Sequence, residues 1–193
     1  MLVLASRSPR RREILQSAGI PFVVRPADVD ESAHPDEAPR DYVMRIAREK
    51  AAAITAVPGE IVLGADTTVV IGDAMLAKPA DAADAARMLR MLAGQRHVVM
   101  TGICLSSAAR TIEDCAETSV WFAALSPAEI ADYAASGEPM DKAGGYAIQG
   151  LAAKYIERIE GCYFNVVGLP VAIVYRHLRE LSSRMEQIAG GLR

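Results

Sequence analysis

Cysteine is scarce in this 193-residue chain, with only Cys104, Cys115 and Cys162 present. Three is an odd number, there is no CxxC spacing, and no paired histidines stand nearby, so neither a disulfide framework nor a zinc site is indicated. Ordinary core thiols are expected, and with them a cytoplasmic setting. Long apolar runs are also missing. Ile61 to Ile71 and Val166 to Tyr175 are the longest, and Asp66 or Pro170 interrupts each, whereas a membrane helix needs about 20 apolar residues. No span is expected. The start, Met1-Leu-Val-Leu-Ala5 followed by arginines, reverses the order of a signal peptide, so the mature chain is expected to begin there. No GxxxxGK[ST] loop occurs, and His34, His97 and His177 are scattered without the spacing of a nucleophilic triad.

A basic surplus is lacking too. Lys and Arg number 21 against 24 Asp and Glu, a net charge of −3 with a pI near 5.7, which argues against bulk binding to nucleic acid or an anionic membrane. The charge is uneven, however. Arg7, Arg10, Arg11 and Arg12 stand together with no acid among them, and the remainder carries 17 basic and 24 acidic residues. One small region is built to meet negative charge.

What is present is apolar material for a large core: 51% of residues are hydrophobic, and a chain of this length buries roughly 70% of its unfolded surface. Strand and helix patterns alternate. Strands are expected at Leu2–Ala5, Phe22–Arg25, Ile61–Ile71, Ala74–Ala77, His97–Leu105, Thr111–Ala123 and Tyr155–Ile159. Helices are expected after Ser8-Pro9 up to Gly19, then over Asp41–Ala56, Asp81–Ala93, Ser126–Ser136 and Leu169–Ser182, the last followed by a polar tail. Ser8-Pro9 offers an N-cap with Pro at N1, and Ser126-Pro-Ala-Glu129 is a capping box. Gly72-Asp73 marks a hairpin turn. No linker or repeat divides the chain, which reads as one α/β domain over residues 1–193 with a mixed sheet and helices on both faces.

Four segments carry chemistry. Leu4-Ala-Ser6-Arg7-Ser8-Pro9-Arg10-Arg11-Arg12 reads as strand, tight loop and helix N-terminus. Unpaired N–H groups, hydroxyls and guanidiniums there suit phosphate, although the arginines also suit solvent or acidic partners. Asp66 interrupts the apolar run Ile61–Ile71; a buried carboxylate costs several kcal/mol unless a cation, a metal or hydrogen bonds meet it. It reads as a metal ligand or general base, or as a capping Asp. Asp30-Glu31 lies in the acidic loop Pro26–Pro39. Asp141-Lys-Ala-Gly-Gly-Tyr-Ala-Ile-Gln-Gly150 combines charges, a glycine pair and Gln149, whose amide matches a nucleobase edge, or it is a structural turn. Lys50 and Lys78 taken alone read as surface lysines.

Seven segments in order resemble the Maf family of nucleotide pyrophosphatases. They are Ala5-Ser-Arg-Ser-Pro-Arg-Arg11, Val29-Asp-Glu31, Ala47-Arg-Glu-Lys50, Gly64-Ala-Asp-Thr67, Lys78-Pro79, Asp141 to Gly150 and Val167-Gly-Leu-Pro170. The resemblance implies a fold like that of the inosine triphosphate pyrophosphatases, with two lobes around a cleft, and a homodimer. It implies hydrolysis of a nucleoside triphosphate between the α and β phosphates, using a divalent metal, Mg²⁺ foremost with Mn²⁺ or Co²⁺ as alternatives. Asp66 would activate water and Glu31 would support it, both associated with the metal. Ser8, Arg10, Arg11, Lys50 and Lys78 would hold phosphates, with Thr67 and Gln149 also on the substrate. Arg10, Thr67 and Gln149 resemble the specificity positions of the branch acting on dTTP and UTP. The alternatives are the branch acting on 7-methyl-GTP and a non-catalytic nucleotide- or nucleic-acid-binding regulator of cell division.

Overall fold

A computed structural model describes residues 1–190 and the side chains of residues 1–182. The chain runs β1 (Leu2–Leu4), α1 (Pro9–Ser17), β2 (Phe22–Val24), α2 (Pro39–Ala52), β3 (Ile61–Ile71), β4 (Ala74–Leu76), α3 (Ala82–Leu92), β5 (Arg96–Ser107) and β6 (Thr111–Phe122). It continues through α4 (Pro127–Ala135), three short 3₁₀ turns between Glu138 and Tyr155, β7 (Ile156–Glu160), α5 (Tyr163–Val167) and α6 (Val171–Gly190). The seven strands form one sheet in the order β2-β1-β3-β5-β6-β7, with β4 on β3. It is mixed: β1 pairs parallel with β2 and β3, while β4 runs antiparallel to β3 and β7 to β6. The α/β class and mixed sheet match the sequence reading.

Local signals account for most element starts. Ser8 caps α1, its hydroxyl accepting from Arg11 N, and Ser126 with Glu129 closes the capping box of α4. α2 starts at Pro39, two residues before the expected Asp41, because the fixed φ and missing N–H of proline suit N1. It ends at Ala52, short of Ala56. α6 continues past Ser182 to Gly190; the last three residues of the expected tail lie outside those described. α5 was not expected, since Tyr163-Phe-Asn-Val-Val167 is apolar and β-branched. Its buried Asn165 donates from Nδ2 to Val99 O and Thr118 Oγ1, both at 3.0 Å, a long-range tie that sequence pattern does not display.

The fold divides into two compact units. The first comprises Met1–Asp66, Thr101–Cys115 and the chain from Gly168; the second comprises Thr67–Met100 and Ala116–Val167. In the first, Val3 of β1, Ala5 just after it, Val62 of β3, and Ala47 and Ala51 of α2 pack with Cys104. The close fit of α2 depends on glycine. A Cβ on Gly64 would stand 2.0 Å from Ala47 O, and one on Gly102 2.4 Å from Val43 O. The second unit has a core in which α3 and α4 contribute Leu89, Leu92, Ile130 and Tyr133, joined by Phe122 and Tyr146. Cys104 is buried as expected of a core thiol, and burial raises it to about 11. Cys115 and Cys162 are half-buried.

Candidate functional site

The first unit holds all or most of five of the seven segments, and one buried guanidinium ties three of them together. Ser6 and Ser8 shape the turn between β1 and α1, with Ser8 N donating to Ser6 Oγ at 3.2 Å. The first turn of α1 holds no acid. Arg7 is exposed opposite Asp28, Arg12 is exposed, and Arg10 is half-buried. Arg11 turns inward and is 7% exposed. Its Nε donates to Gly168 O at 2.9 Å, and its Nη1 donates to Ala65 O at 2.8 Å and to Ser6 Oγ at 3.1 Å. Burial lowers the pKa of Arg11, and the charges of Asp66 and Glu31 oppose that shift. Arg11 thus ties the arginine segment to β3 beside Asp66 and to the start of the Gly168-Leu-Pro170 turn.

Asp66 lies in mid-strand on β3 and is 7% exposed, the placement its apolar context suggests. The cation that meets it is Lys50 of α2, equally buried and not a surface lysine. Lys50 Nζ donates to Asp66 Oδ1 at 2.7 Å and stands 2.6 Å from Glu31 Oε1. One ammonium therefore holds two carboxylates from separate segments. Gly64 makes this possible: α2 settles against β3 only because residue 64 has no side chain, which brings Lys50 within reach of Asp66.

Glu31 belongs to a segment without regular structure, and residues that sequence reasoning missed hold it. Tyr42 Oη donates to Glu31 O at 2.9 Å. Arg45 grips Glu37 with Nε and Nη2, at 2.6 and 2.7 Å, and its Nη2 also donates to Ser32 O at 3.0 Å. Glu37 in turn accepts from His34 N. The Arg45 guanidinium holds the Glu37 carboxyl down to about 2 and is itself raised by it. Burial, with the charges of Asp66 and Glu31, raises the Tyr42 phenol, which keeps it a donor. The three-to-four spacing of Tyr42, Arg45 and Glu49 along α2 is the only local signal for this strap.

Among the described residues no group of three or more His, Cys, Asp or Glu is arranged to hold a metal. The paired carboxylates of Glu31 and Asp66 suit a hard divalent cation that takes its remaining oxygens from phosphate and water, as Mg²⁺ does. This donor set fits such an ion with substrate present.

The second unit brings together the other expected segments. Thr67 is half-buried; Lys78 and Gln149 are exposed. Gly144 N donates to Ala77 O at 3.1 Å, which lays the glycine-rich segment beside Lys78-Pro79. Tyr146 is buried, and its Oη lies 2.7 Å from His97 Nε2. Gln149 occupies a turn closed by Gly150 N donating to Ala147 O at 3.1 Å.

The family model for Maf-like protein matches residues 1–181. The chain belongs to the Maf family. This Maf protein is 54% identical over 175 residues to a protein of Anaeromyxobacter dehalogenans (strain 2CP-C) named dTTP/UTP pyrophosphatase, covering 89% of each chain. A protein of Koribacter versatilis (strain Ellin345) with the same name is 52% identical over 179 residues, covering 92% of this chain and 93% of that one. Among solved structures the Maf chain is similar to the Ham1 protein of Staphylococcus aureus, with a TM-score of 0.45 and 16% identity over 63% of this chain and 71% of that one. No helix among the described residues is long and apolar enough to cross a membrane.

Proposed function

We propose that this Maf protein is a nucleoside triphosphate pyrophosphatase acting on dTTP and UTP, releasing the monophosphate and pyrophosphate. The observation that carries the reading is the buried Lys50–Asp66 pair with the exposed Glu31 on the same ammonium, joined through Arg11 to the arginine-rich turn. Relatives near half identity bearing the dTTP/UTP pyrophosphatase name support the substrate class.

In this reading Asp66 accepts a proton from water as the water oxygen bonds to the α phosphorus. The bond from that phosphorus to the α–β bridging oxygen breaks, and pyrophosphate departs with the electron pair. Lys50 keeps Asp66 aimed, because its ammonium donates to Asp66 Oδ1 at 2.7 Å. Ser8, Arg10, Arg11, Lys50 and Lys78 balance the roughly four negative charges of the triphosphate. Arg11 also fixes the loop through its bonds to Gly168, Ala65 and Ser6. A divalent ion, Mg²⁺ foremost, held by Glu31 and Asp66, would supply Lewis-acid stabilisation of phosphate charge. Thr67, Gln149 and Arg10 set base preference. A homodimer in the cytoplasm completes the proposal, supported by the family resemblance.

The purified protein with Mg²⁺ and a panel of triphosphates tests it. Pyrophosphate release fastest from dTTP and UTP is expected. Preference for 7-methyl-GTP would move the protein to the other branch, and salt-sensitive DNA binding without any hydrolysis would replace the enzyme by a regulator.

A further inference from the structure

We propose that Glu138 and Tyr133 are positioning residues for nucleotide selectivity, holding the turn that presents Gln149. The inference rests on the reading of Gln149 as a base-contacting residue and adds the device that orients it.

Gln149 is exposed at a four-residue turn, Ala147–Gly150, and both ends of that turn are pinned by one network. At the entry, Ala147 N donates to Tyr133 Oη at 3.2 Å. At the exit, Leu151 N donates to the Glu138 carboxylate, 3.0 Å from Oε1 and 3.1 Å from Oε2. The two pins are coupled, because Tyr133 Oη donates to Glu138 Oε1 at 2.7 Å. Burial and the adjoining Glu138 raise the Tyr133 phenol, so its proton stays available for that bond. Glu138 is fixed from its own backbone: its N donates to Ser136 Oγ, and its carbonyl accepts from Lys142 Nζ at 2.6 Å. Gly150 leaves the space the carboxylate fills, since a Cβ there would stand 2.3 Å from Glu138 Oε2.

This arrangement exceeds what a turn needs. Gly150 N already closes it by donating to Ala147 O. A half-buried carboxylate and a buried phenol are added to lock both flanks, which fixes the backbone from which the exposed Gln149 side chain projects. Recognition of a base edge by an amide requires that: a misplacement near 1 Å costs on the order of 100-fold. A loop that merely connected two elements would not require it.

The test measures kcat and KM for dTTP, UTP and dATP in wild type, Glu138→Ala, Tyr133→Phe, Gly150→Ala, Gln149→Ala and the double variant Glu138→Ala/Gln149→Ala. Each of the first three variants is expected to lower the dTTP-to-dATP ratio of kcat/KM about tenfold, chiefly through the KM for dTTP. Glu138→Gln, whose remaining oxygen still accepts from Tyr133 and Leu151, is expected to restore most of the ratio. The double variant should match Gln149→Ala within twofold, because Glu138 acts through Gln149. Should Glu138→Ala fail to fold, Tyr133→Phe and Gly150→Ala decide the matter. A wild-type ratio in variants that melt like the wild type, or additive losses in the double variant, would overturn the proposal while leaving the enzyme reading intact. A wild type without pyrimidine preference would overturn the dTTP/UTP reading itself.

Discussion

Lys50 Nζ lies 2.7 Å from Asp66 Oδ1, and both side chains are about nine-tenths buried. A buried pair is costly to break from one side, because the survivor keeps its charge without a partner. Here the stranded charge would be Asp66, since Glu31, which shares the same ammonium, is exposed to water. Lys50→Met is therefore expected to lower unfolding free energy by about 3–5 kcal/mol, read by urea denaturation. Asp66→Asn leaves Glu31 on the ammonium and should cost less stability, yet turnover should fall about 10²- to 10⁴-fold with nucleotide binding retained in calorimetry. Full turnover in Asp66→Asn would remove it as the base.

Gly64 should be intolerant of a single methyl. Its missing Cβ would meet Ala47 O at 2.0 Å and Ala51 N at 2.7 Å, both main-chain atoms of α2 that cannot rotate away. Gly64→Ala must push α2 off β3 and draw Lys50 from Asp66. Loss of both stability and hydrolysis is expected, by at least 2 kcal/mol in denaturant titration on the scale of overpacked sites. A variant with wild-type stability would show that the contact relaxes at no cost.

Sequence revealed the site's parts better than their joints. Asp66 was legible because a carboxylate inside an apolar strand demands a partner, and the caps at Ser8 and Ser126 were legible because they act within one turn. Lys50 looked like a surface lysine, since its burial depends on Gly64 and Gly102 admitting α2, a contact across distant segments. Arg11 reads as a phosphate ligand from its neighbours; only the fold reveals that Ala65 and Gly168 occupy two of its donors. α5 and the anchors Arg45, Tyr133 and Glu138 were hidden for the same reason. Their partners are carbonyls, amides or carboxylates placed by the chain's path, and beyond the helical spacing around Arg45 no periodicity encodes them.

The Arg45–Glu37 grip predicts how acid releases the loop around Glu31. The Glu37 carboxyl is held at about 2 against 4.5 ordinarily. A depressed carboxyl stabilises the fold above its unfolded pKa, and that contribution is lost as pH falls from 4.5 through about 2. Amide exchange at His34, whose N–H donates to Glu37 at 3.0 Å, should be protected at neutral pH and lose protection through that window, after correction for intrinsic rates. Glu37→Gln should be poorly protected already at neutral pH. Equal protection in both proteins would assign the loop's order to Tyr42 and Ser32 instead.

His97 sets a second acid limit, at higher pH. It is 1% exposed, packed edge-to-face against Phe122 and Tyr146 with ring centroids 5.2 and 5.3 Å away, and burial drives its pKa from 6.5 to about 4. The folded protein thus keeps the ring neutral where the unfolded chain protonates it. The stabilisation is complete above pH 6.5 and is lost as pH falls to about 4, amounting to about 3 kcal/mol. His97→Phe retains the aromatic packing but strands the Tyr146 hydroxyl, so it should be less stable than wild type at pH 7 by about 1–3 kcal/mol. Having no group to protonate, the variant should lose less stability on acidification, and the difference between the two proteins should shrink or reverse by pH 4. Denaturant titrations at pH 7, 5.5 and 4 measure this, and parallel pH profiles would mean that the ring takes up its proton equally in the folded and the unfolded chain.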